Sequence, residues 1–309
     1  MVFKVNILGS NSAVPTLKRQ PTAQLVNHNE RFYLIDCAEG TQLQLRKFKF
    51  RLQRIGHIFI SHLHGDHFFG LIGLISTMHL LGRNKELHVY GPAELEEIIH
   101  LQLKVSQTEL VYPFYFHAID PDKNEVIYEN DKLTISTIPL DHRIPTCGFL
   151  FREKQGKRRL IKSVVNKLDI PIDQFVKIKS GADFKDTDGR VYKNEELTMD
   201  PYPIRSYAYC SDTKYKESIV PVIKNVSLLY HEATFMQDRA DVATEKFHST
   251  TVEAATIALK AGVKQLIIGH FSTRYENPED MLVESQSVFK NTDVAVDGCI
   301  FEVLPEPIS

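Results

Sequence analysis

The sequence predicts a layered α/β domain with a polar insertion and a metal site gathered at one edge of its sheets. Three observations carry this. A strand-like run, a histidine-rich loop and an apolar helix-length segment follow one another between His57 and Gly82. Strand after strand ends in a residue able to bind a metal: Asp36, His62, His142, Asp212, His231 and His270. Between about residues 152 and 203 the periodicity weakens and the composition turns polar. Ligands collected at the edge of stacked sheets follow the functional-site logic of layered α/β proteins.

Length and composition bound the reading. With 309 residues, 43% of them hydrophobic, the chain can bury a core as one large domain over 1–309, with 152–203 as an inserted arm. A net charge of −2 gives no global basic character, so nucleic-acid binding must come from local patches. Val2 to Leu8 is interrupted by Lys4 and Asn6 and lacks the apolar core of a signal peptide. Phe68 to Gly82, the longest charge-free apolar segment, is too short to span a bilayer, so no membrane association is expected. Cys37, Cys147, Cys210 and Cys299 are scattered, which reads as reduced thiols in a cytoplasmic protein.

Taken in order, Phe3 to Leu8 reads as a strand ending in the turn cluster Gly9-Ser10-Asn11-Ser12. Thr22 to Val26 and Arg31 to Asp36 are two more. Asp36 suits either a turn or cap role or the orienting of a ligand histidine. Leu43 to Arg54 has helical spacing, and its other face carries Arg46, Lys47, Lys49, Arg51 and Arg54 without an acid, a candidate contact for phosphates. Leu87 to Tyr90 is a strand, followed by a helix from Gly91-Pro92 to about Val105. Leu133 to Pro139 alternates and leads to Asp141-His142. Residues 152–179 hold nine Lys and Arg against three acids, including Lys157, Arg158 and Arg159, and Asp183 to Asp200 is acid-rich and turn-like. An insertion of this kind in a compact domain is functional or disordered, and here it reads as a protruding arm. Strands resume at Tyr207–Cys210, Leu228–Tyr230 and Gln265–Ile268. A helix from Thr250 to Ala261 has Ser249 and Thr250 suited to its N-cap. A last helix near Pro278 to Phe289 and a strand near Ile300 to Val303 close the chain.

The stretch Ser61-His62-Leu63-His64-Gly65-Asp66-His67 is the chemical centre. Three imidazoles and a carboxylate so close together are costly unless they share a cation, and zinc accepts both donors. His62, His64 and His142 suffice for one ion, and Asp66, His67 and His270 for a second, leaving Asp212 free to bridge them. Two metals sharing a hydroxide suit phosphodiester hydrolysis, where attacking and leaving oxygens both carry developing charge. Asp66 can also hold the attacking water. His248 and His231 are the available general acids for the leaving oxygen.

The His62-Leu63-His64-Gly65-Asp66-His67 motif, with a downstream His, Asp and His, resembles the metallo-β-lactamase superfamily. Further motifs, Asp36-Cys37-Ala38-Glu39-Gly40-Thr41-Gln42, His231-Glu232-Ala233-Thr234, His248-Ser249-Thr250 and Gly269-His270-Phe271-Ser272-Thr273-Arg274-Tyr275, resemble the ribonuclease Z family of tRNA 3′-processing endoribonucleases in its short form. The resemblance implies a four-layer αβ/βα sandwich with two zinc ions per subunit. It implies cleavage of precursor tRNA after the discriminator nucleotide, leaving a tRNA 3′-hydroxyl and a trailer 5′-phosphate. The implied ligands are His62, His64, Asp66, His67, His142, Asp212 and His270, with Asp66 also the general base. His248, paired with Glu232, would protonate the leaving oxygen, and Ser272 and Arg274 would sit near the scissile phosphate. A homodimer is implied, with the arm of one subunit, including Lys157, Arg158 and Arg159, gripping tRNA bound to the other.

Two stretches depart from the family pattern. The family's P-x-K-x-R-N loop, linked to discrimination against CCA-bearing tRNA, stands here as Pro15-Thr16-Leu17-Lys18-Arg19-Gln20, which keeps Arg19. The arm tip has Ile170-Pro171-Ile172-Asp173 in place of a Gly-Pro pair. Two other functions fit the motifs less well. A small-molecule hydrolase of thiolesters, lactones or cyclic phosphodiesters has no use for a basic arm. A metal-stabilised RNA-binding protein that does not cleave needs neither an open metal position nor His248.

Overall fold

The computed structural model describes residues 2–305. Among them, two seven-stranded sheets pack face to face with helices on both outer faces, the four-layer sandwich expected. The first sheet takes β1 (Phe3–Gly9), β2 (Ala23–His28), β3 (Arg31–Ile35), β4 (Ile55–Phe59), β5 (Leu87–Gly91) and β6 (Phe114–Ala118). With it run α1 (Thr41–Lys47), the single turn α2 (Gly65–Phe68), α3 (Leu71–Leu80) and α4 (Glu94–Val105). The second sheet begins with β7 (Val126–Glu129), β8 (Leu133–Pro139) and β9 (Cys147–Glu153). The insertion then supplies β10 (Arg159–Leu160), α5 (Lys162–Lys167), α6 (Phe175–Lys179), β11 (Phe184–Lys185), β12 (Val191–Tyr192), α7 (Asn194–Leu197) and β13 (Thr198–Met199). The second sheet resumes with β14 (Ser206–Cys210) and β15 (Leu228–Glu232), followed by α8 (Ala240–Lys246) and α9 (Thr251–Ala261). β16 (Gln265–Gly269), α10 (Glu279–Gln286) and β17 (Thr292–Val294) complete it, and β18 (Ile300–Glu302) returns to pair with β1.

Side-chain alternation builds the layers. Tyr207 and Tyr209 of β14 face the inter-sheet core with Phe59, Phe149 and Tyr230, while Ala208 and Cys210 face the layer of α9. Residues of α1, α3 and α4 cover the other outer face. Neighbours within β3–β4–β5–β6 and within β14–β15–β16–β17 are parallel, so the carboxyl ends of each set share an edge. That edge is where layered sheets present their sites. Among the described residues no helix is long and apolar enough to cross a membrane, and all four cysteines are free.

Several elements differ from expectation. The helix read over Leu43–Arg54 stops at Lys47, because Lys49 turns left-handed at φ 63° and the Phe50 N–H closes back on the Leu45 carbonyl. Its cations therefore do not share one face. Arg54 pairs with Glu30 at 3.1 Å and lies over the Phe32 ring, while Lys47 lies over Phe48. β6, β7 and β9 escape the sequence reading; β6 and β7 are edge strands whose half-exposed residues give no clean alternation. β15 runs on through His231 and Glu232. The insertion is a small folded unit, with Val165, Ile170, Ile178, Phe184 and Leu197 as its own core.

Candidate metal centre

Local backbone aims three key side chains. Asp36, Asp212 and His270, just past β3, β14 and β16, are left-handed at φ 55°, 59° and 59°. Asp and His tolerate this conformation better than most residues, and such positions gather at functional sites. His62, His64, Asp66 and His67 come from the turn between β4 and α3, and His142 from the turn after β8.

The seven predicted ligands converge. His62, His64, His142 and Asp212 form one group able to hold a metal ion, and Asp66, His67 and His270 another. Asp212 faces both. Its Oδ2 lies 3.8 Å from His62 Nε2 and 3.7 Å from His142 Nε2, and its Oδ1 lies 3.2 Å from both His67 Nε2 and His270 Nε2. His64 Nδ1 is 3.1 Å from Nε2 of both His62 and His142. Asp66 Oδ2 accepts the Ala13 N–H at 2.8 Å and stands 3.7 Å from His67 Nε2 and 3.8 Å from His270 Nε2. Burial raises the Asp212 carboxyl, but the surrounding imidazoles outweigh it and hold the group well below the usual carboxylate range.

The opposite ring nitrogens are pinned from behind, which orients a ligand histidine. Asp36 accepts from His67 Nδ1 at 2.7 Å, Tyr209 Oη at 2.7 Å, and the N–H and Oγ of Ser61. Of its two expected roles, Asp36 is therefore the histidine's orienting partner. Phe247 O accepts from His142 Nδ1 at 2.9 Å, and His270 Nδ1 meets Thr234 Oγ1 at 3.0 Å. The Thr234 hydroxyl in turn donates to Glu232 Oε2 at 2.7 Å.

Glu232 is the hub of the expected acid pair. Its Oε1 accepts from His248 Nδ1 at 2.8 Å and from the Thr213 N–H at 2.8 Å. Burial pulls the His248 imidazole down, yet the adjoining Glu232 carboxylate wins and pushes it up to about 9. His231, the other acid considered, is fully buried, with its Nδ1 on the Glu232 carbonyl, and it does not line the cavity.

The centre opens into a cavity of about 310 Å³ lined by Asp66, Asp212, His248, His270, Ser272 and others. The sequence reading missed Ser12, Ala13, Arg143, Thr234 and Lys246 on its walls. Thr234 sits in the His231–Thr234 motif and Arg143 beside His142, so proximity to a motif is the signal that could have found them. Arg274 is exposed outside the lining, 6.0 Å from the Phe235 ring. Arg19 is half-buried and donates to the Tyr275 carbonyl at 2.7 Å, tying its loop to the Ser272–Tyr275 loop. Lys157, Arg158 and Arg159 lie elsewhere, in a 1600 Å³ depression at the root of the insertion. Arg158 pairs there with Asp200, and Arg159 covers the Tyr202 ring at 4.2 Å.

The donor set fits a metal. Nε2 of His67 and Nε2 of His270 are buried without a hydrogen-bond partner, a cost that a shared cation removes. Imidazole and carboxylate together suit a divalent ion of borderline softness.

Residues 3–164 match the family model described as Anti-Pycsar protein Apyc1, a stretch that stops before Asp212, Glu232, His248 and His270. The chain is 47% identical over 299 residues to the ribonuclease Z of Bacteroides fragilis, covering 96% of this chain and 98% of that one. Among solved structures it is similar to the short form of human tRNase Z, with TM-score 0.71 at 26% identity, covering 99% of this chain and all of that one. The metallo-beta-lactamase fold protein YhfI of Bacillus subtilis, at 19% identity and TM-score 0.68 over 98% of this chain and 100% of that one, shares the fold.

Proposed function

We propose that this chain, which belongs to the ribonuclease Z family over nearly its whole length and through its first half to the family described as Anti-Pycsar protein Apyc1, removes the 3′ trailer from precursor tRNA. It is an endoribonuclease, cutting after the discriminator nucleotide to leave a tRNA 3′-hydroxyl and a trailer 5′-phosphate. The observation that supports this best is Asp212, whose two oxygens face two different histidine pairs, as a carboxylate shared by two ions would.

In this reading His62, His64 and His142 would hold one zinc ion, Asp66, His67 and His270 would hold a second, and Asp212 would serve both. Bound there, the ions would make a water acidic enough to ionise near neutral pH and set positive charge against the phosphate oxygens. Asp66, steadied by the Ala13 N–H, takes the proton of the attacking water. His248, anchored through Nδ1 to the Glu232 carboxylate that pushes its imidazole upward, offers its Nε2 proton to the leaving 3′-oxygen, and Glu232 stabilises the imidazolium. Ser272 borders the phosphate, Arg274 reaches it from outside the lining, and Arg19 acts through the loop it ties down. The enzyme works as a cytoplasmic homodimer, with Lys157, Arg158 and Arg159 of one arm holding tRNA bound to the other subunit.

Incubation with a 3′-extended precursor tRNA tests the reading. Cleavage after the discriminator is expected, with Asp66→Ala losing at least about a thousandfold in rate, within the range for removal of a base that also holds metal. Zinc-loaded, folded protein that leaves the RNA intact would sink it.

A further inference from the structure

We propose that Arg143 and Lys246 form a clamp for the RNA phosphate next to the scissile one, set in place by the left-handed residue Phe247. The inference rests on the nuclease reading above and extends it to two residues without a role in it. Arg143 follows His142 in the turn between β8 and β9, and Lys246 is the last residue of α8, two before His248. Both line the cavity that holds Asp66, Asp212, His248 and His270, and among the described residues they are its only Lys or Arg. An RNA chain entering that cavity brings the scissile phosphate to the metal ligands and a charged phosphate on each side of it to the rim. A neighbouring phosphate at the rim needs a cation of its own there, and Arg and Lys are the residues that bind phosphate.

Phe247 explains why the two cations share the rim. It caps α8 at φ 62° and ψ 43°, a conformation unfavourable for any residue with a Cβ. Three contacts hold it. Its carbonyl accepts from His142 Nδ1 at 2.9 Å, the Lys214 ammonium lies 3.6 Å from its ring centroid, and the Arg143 guanidinium lies 6.0 Å from it. One strained residue thereby ties the end of α8 to the His142–Arg143 turn. Phe247 is also the one residue between Lys246 and His248, whose Nδ1 is committed to Glu232.

Neither cation is locked away. Lys246 pairs with its neighbour Glu245 at 3.1 Å, both side chains being about half exposed or more, and such a pair is weak enough for a phosphate to displace. A lysine in the last turn of α8 would also favour the helix dipole. That bland role, however, needs no partner across the turn and no place on the cavity wall.

The test compares Arg143→Gln, Lys246→Gln and the double variant on precursor tRNA and on bis(4-nitrophenyl) phosphate, a diester without a neighbouring phosphate, using full-length protein of measured metal content. The ratio of kcat/KM for the RNA to that for the diester should fall about tenfold per variant. The slope of log kcat/KM for the RNA against log salt should flatten by about one per cation. An unchanged ratio, with both substrates falling together or neither falling, overturns the clamp. If the wild type hydrolyses the diester but leaves precursor tRNA uncut, the tRNA reading fails separately. The clamp is then decided by inhibition of the diester reaction. A 5′-phosphorylated dinucleotide must outcompete inorganic phosphate in the wild type, and the double variant must lose that preference; equal inhibition in both proteins refutes it.

Discussion

Asp212 illustrates how much one residue carries. It is buried, left-handed, and faces four histidines through two oxygens. His142, by contrast, belongs to one ligand group only. Asp212→Ala should therefore strip both ions, whereas His142→Ala should strip one, as metal analysis of the purified variants will show. Equal losses from the two substitutions would argue against a shared carboxylate. Thr234 is a quieter case. Its hydroxyl lies between His270 and Glu232, linking a candidate ligand to the acid pair, yet its only sequence cue is its place three residues after His231. Asp36 could be read as a turn residue or as an orienting partner from sequence, and its bond to His67 Nδ1 decides between them.

At the level of elements, the loop from β4 to α3 presents four of the proposed ligands, and its seat is tight. A Cβ on Gly70, between α2 and α3, would meet the Ala38 carbonyl oxygen at 2.1 Å. Backbone cannot give way as a flexible side chain can, so the whole loop would have to move. Gly70→Ala should cost about 1–3 kcal/mol or more and lower metal affinity. Thermal melts with and without a chelator will measure both, and a variant that melts and binds metal like the wild type would refute the tight seat. Periodicity located β1 to β5, β8, β14 to β16, α4 and α9. It overran α1, because nothing in a run of hydrophobic and basic residues signals that Lys49 leaves the helix. It missed β6 and β7 because edge strands have no clean buried face.

For the molecule as a whole, the insertion joins the sandwich through one neck. Glu153, at the end of β9, takes Arg205 at 2.7 Å and His28 at 2.9 Å. Burial alone would raise the Glu153 carboxyl, but His28 and Arg205 outweigh it and lower it to about 2, from 4.5. A depressed carboxylate stabilises the folded form above its unfolded value. The support is thus complete above pH 4.5 and is lost as pH falls from there towards about 2. Glu153→Gln mimics that loss at neutral pH. It should loosen the neck by about 1–3 kcal/mol, so that proteases cut within 154–204 faster while the sandwich core stays protected. Uniform protection across the chain in that variant would refute a neck that opens independently.

The candidate ligands were legible because their signal is local: imidazoles and carboxylates within six residues, or at the end of an apolar run, declare their chemistry without neighbours. The sandwich was legible for a related reason, since alternating burial is written into each strand. The pairing of those ligands was not. Which oxygen of Asp212 meets which histidine, why His231 turns away while His248 faces the cavity, and how Phe247 brings Arg143 beside Lys246 all depend on loops from both sheets meeting at one edge. That meeting is set by sheet packing and by left-handed residues at strand and helix ends, and residue spacing along the chain contains neither.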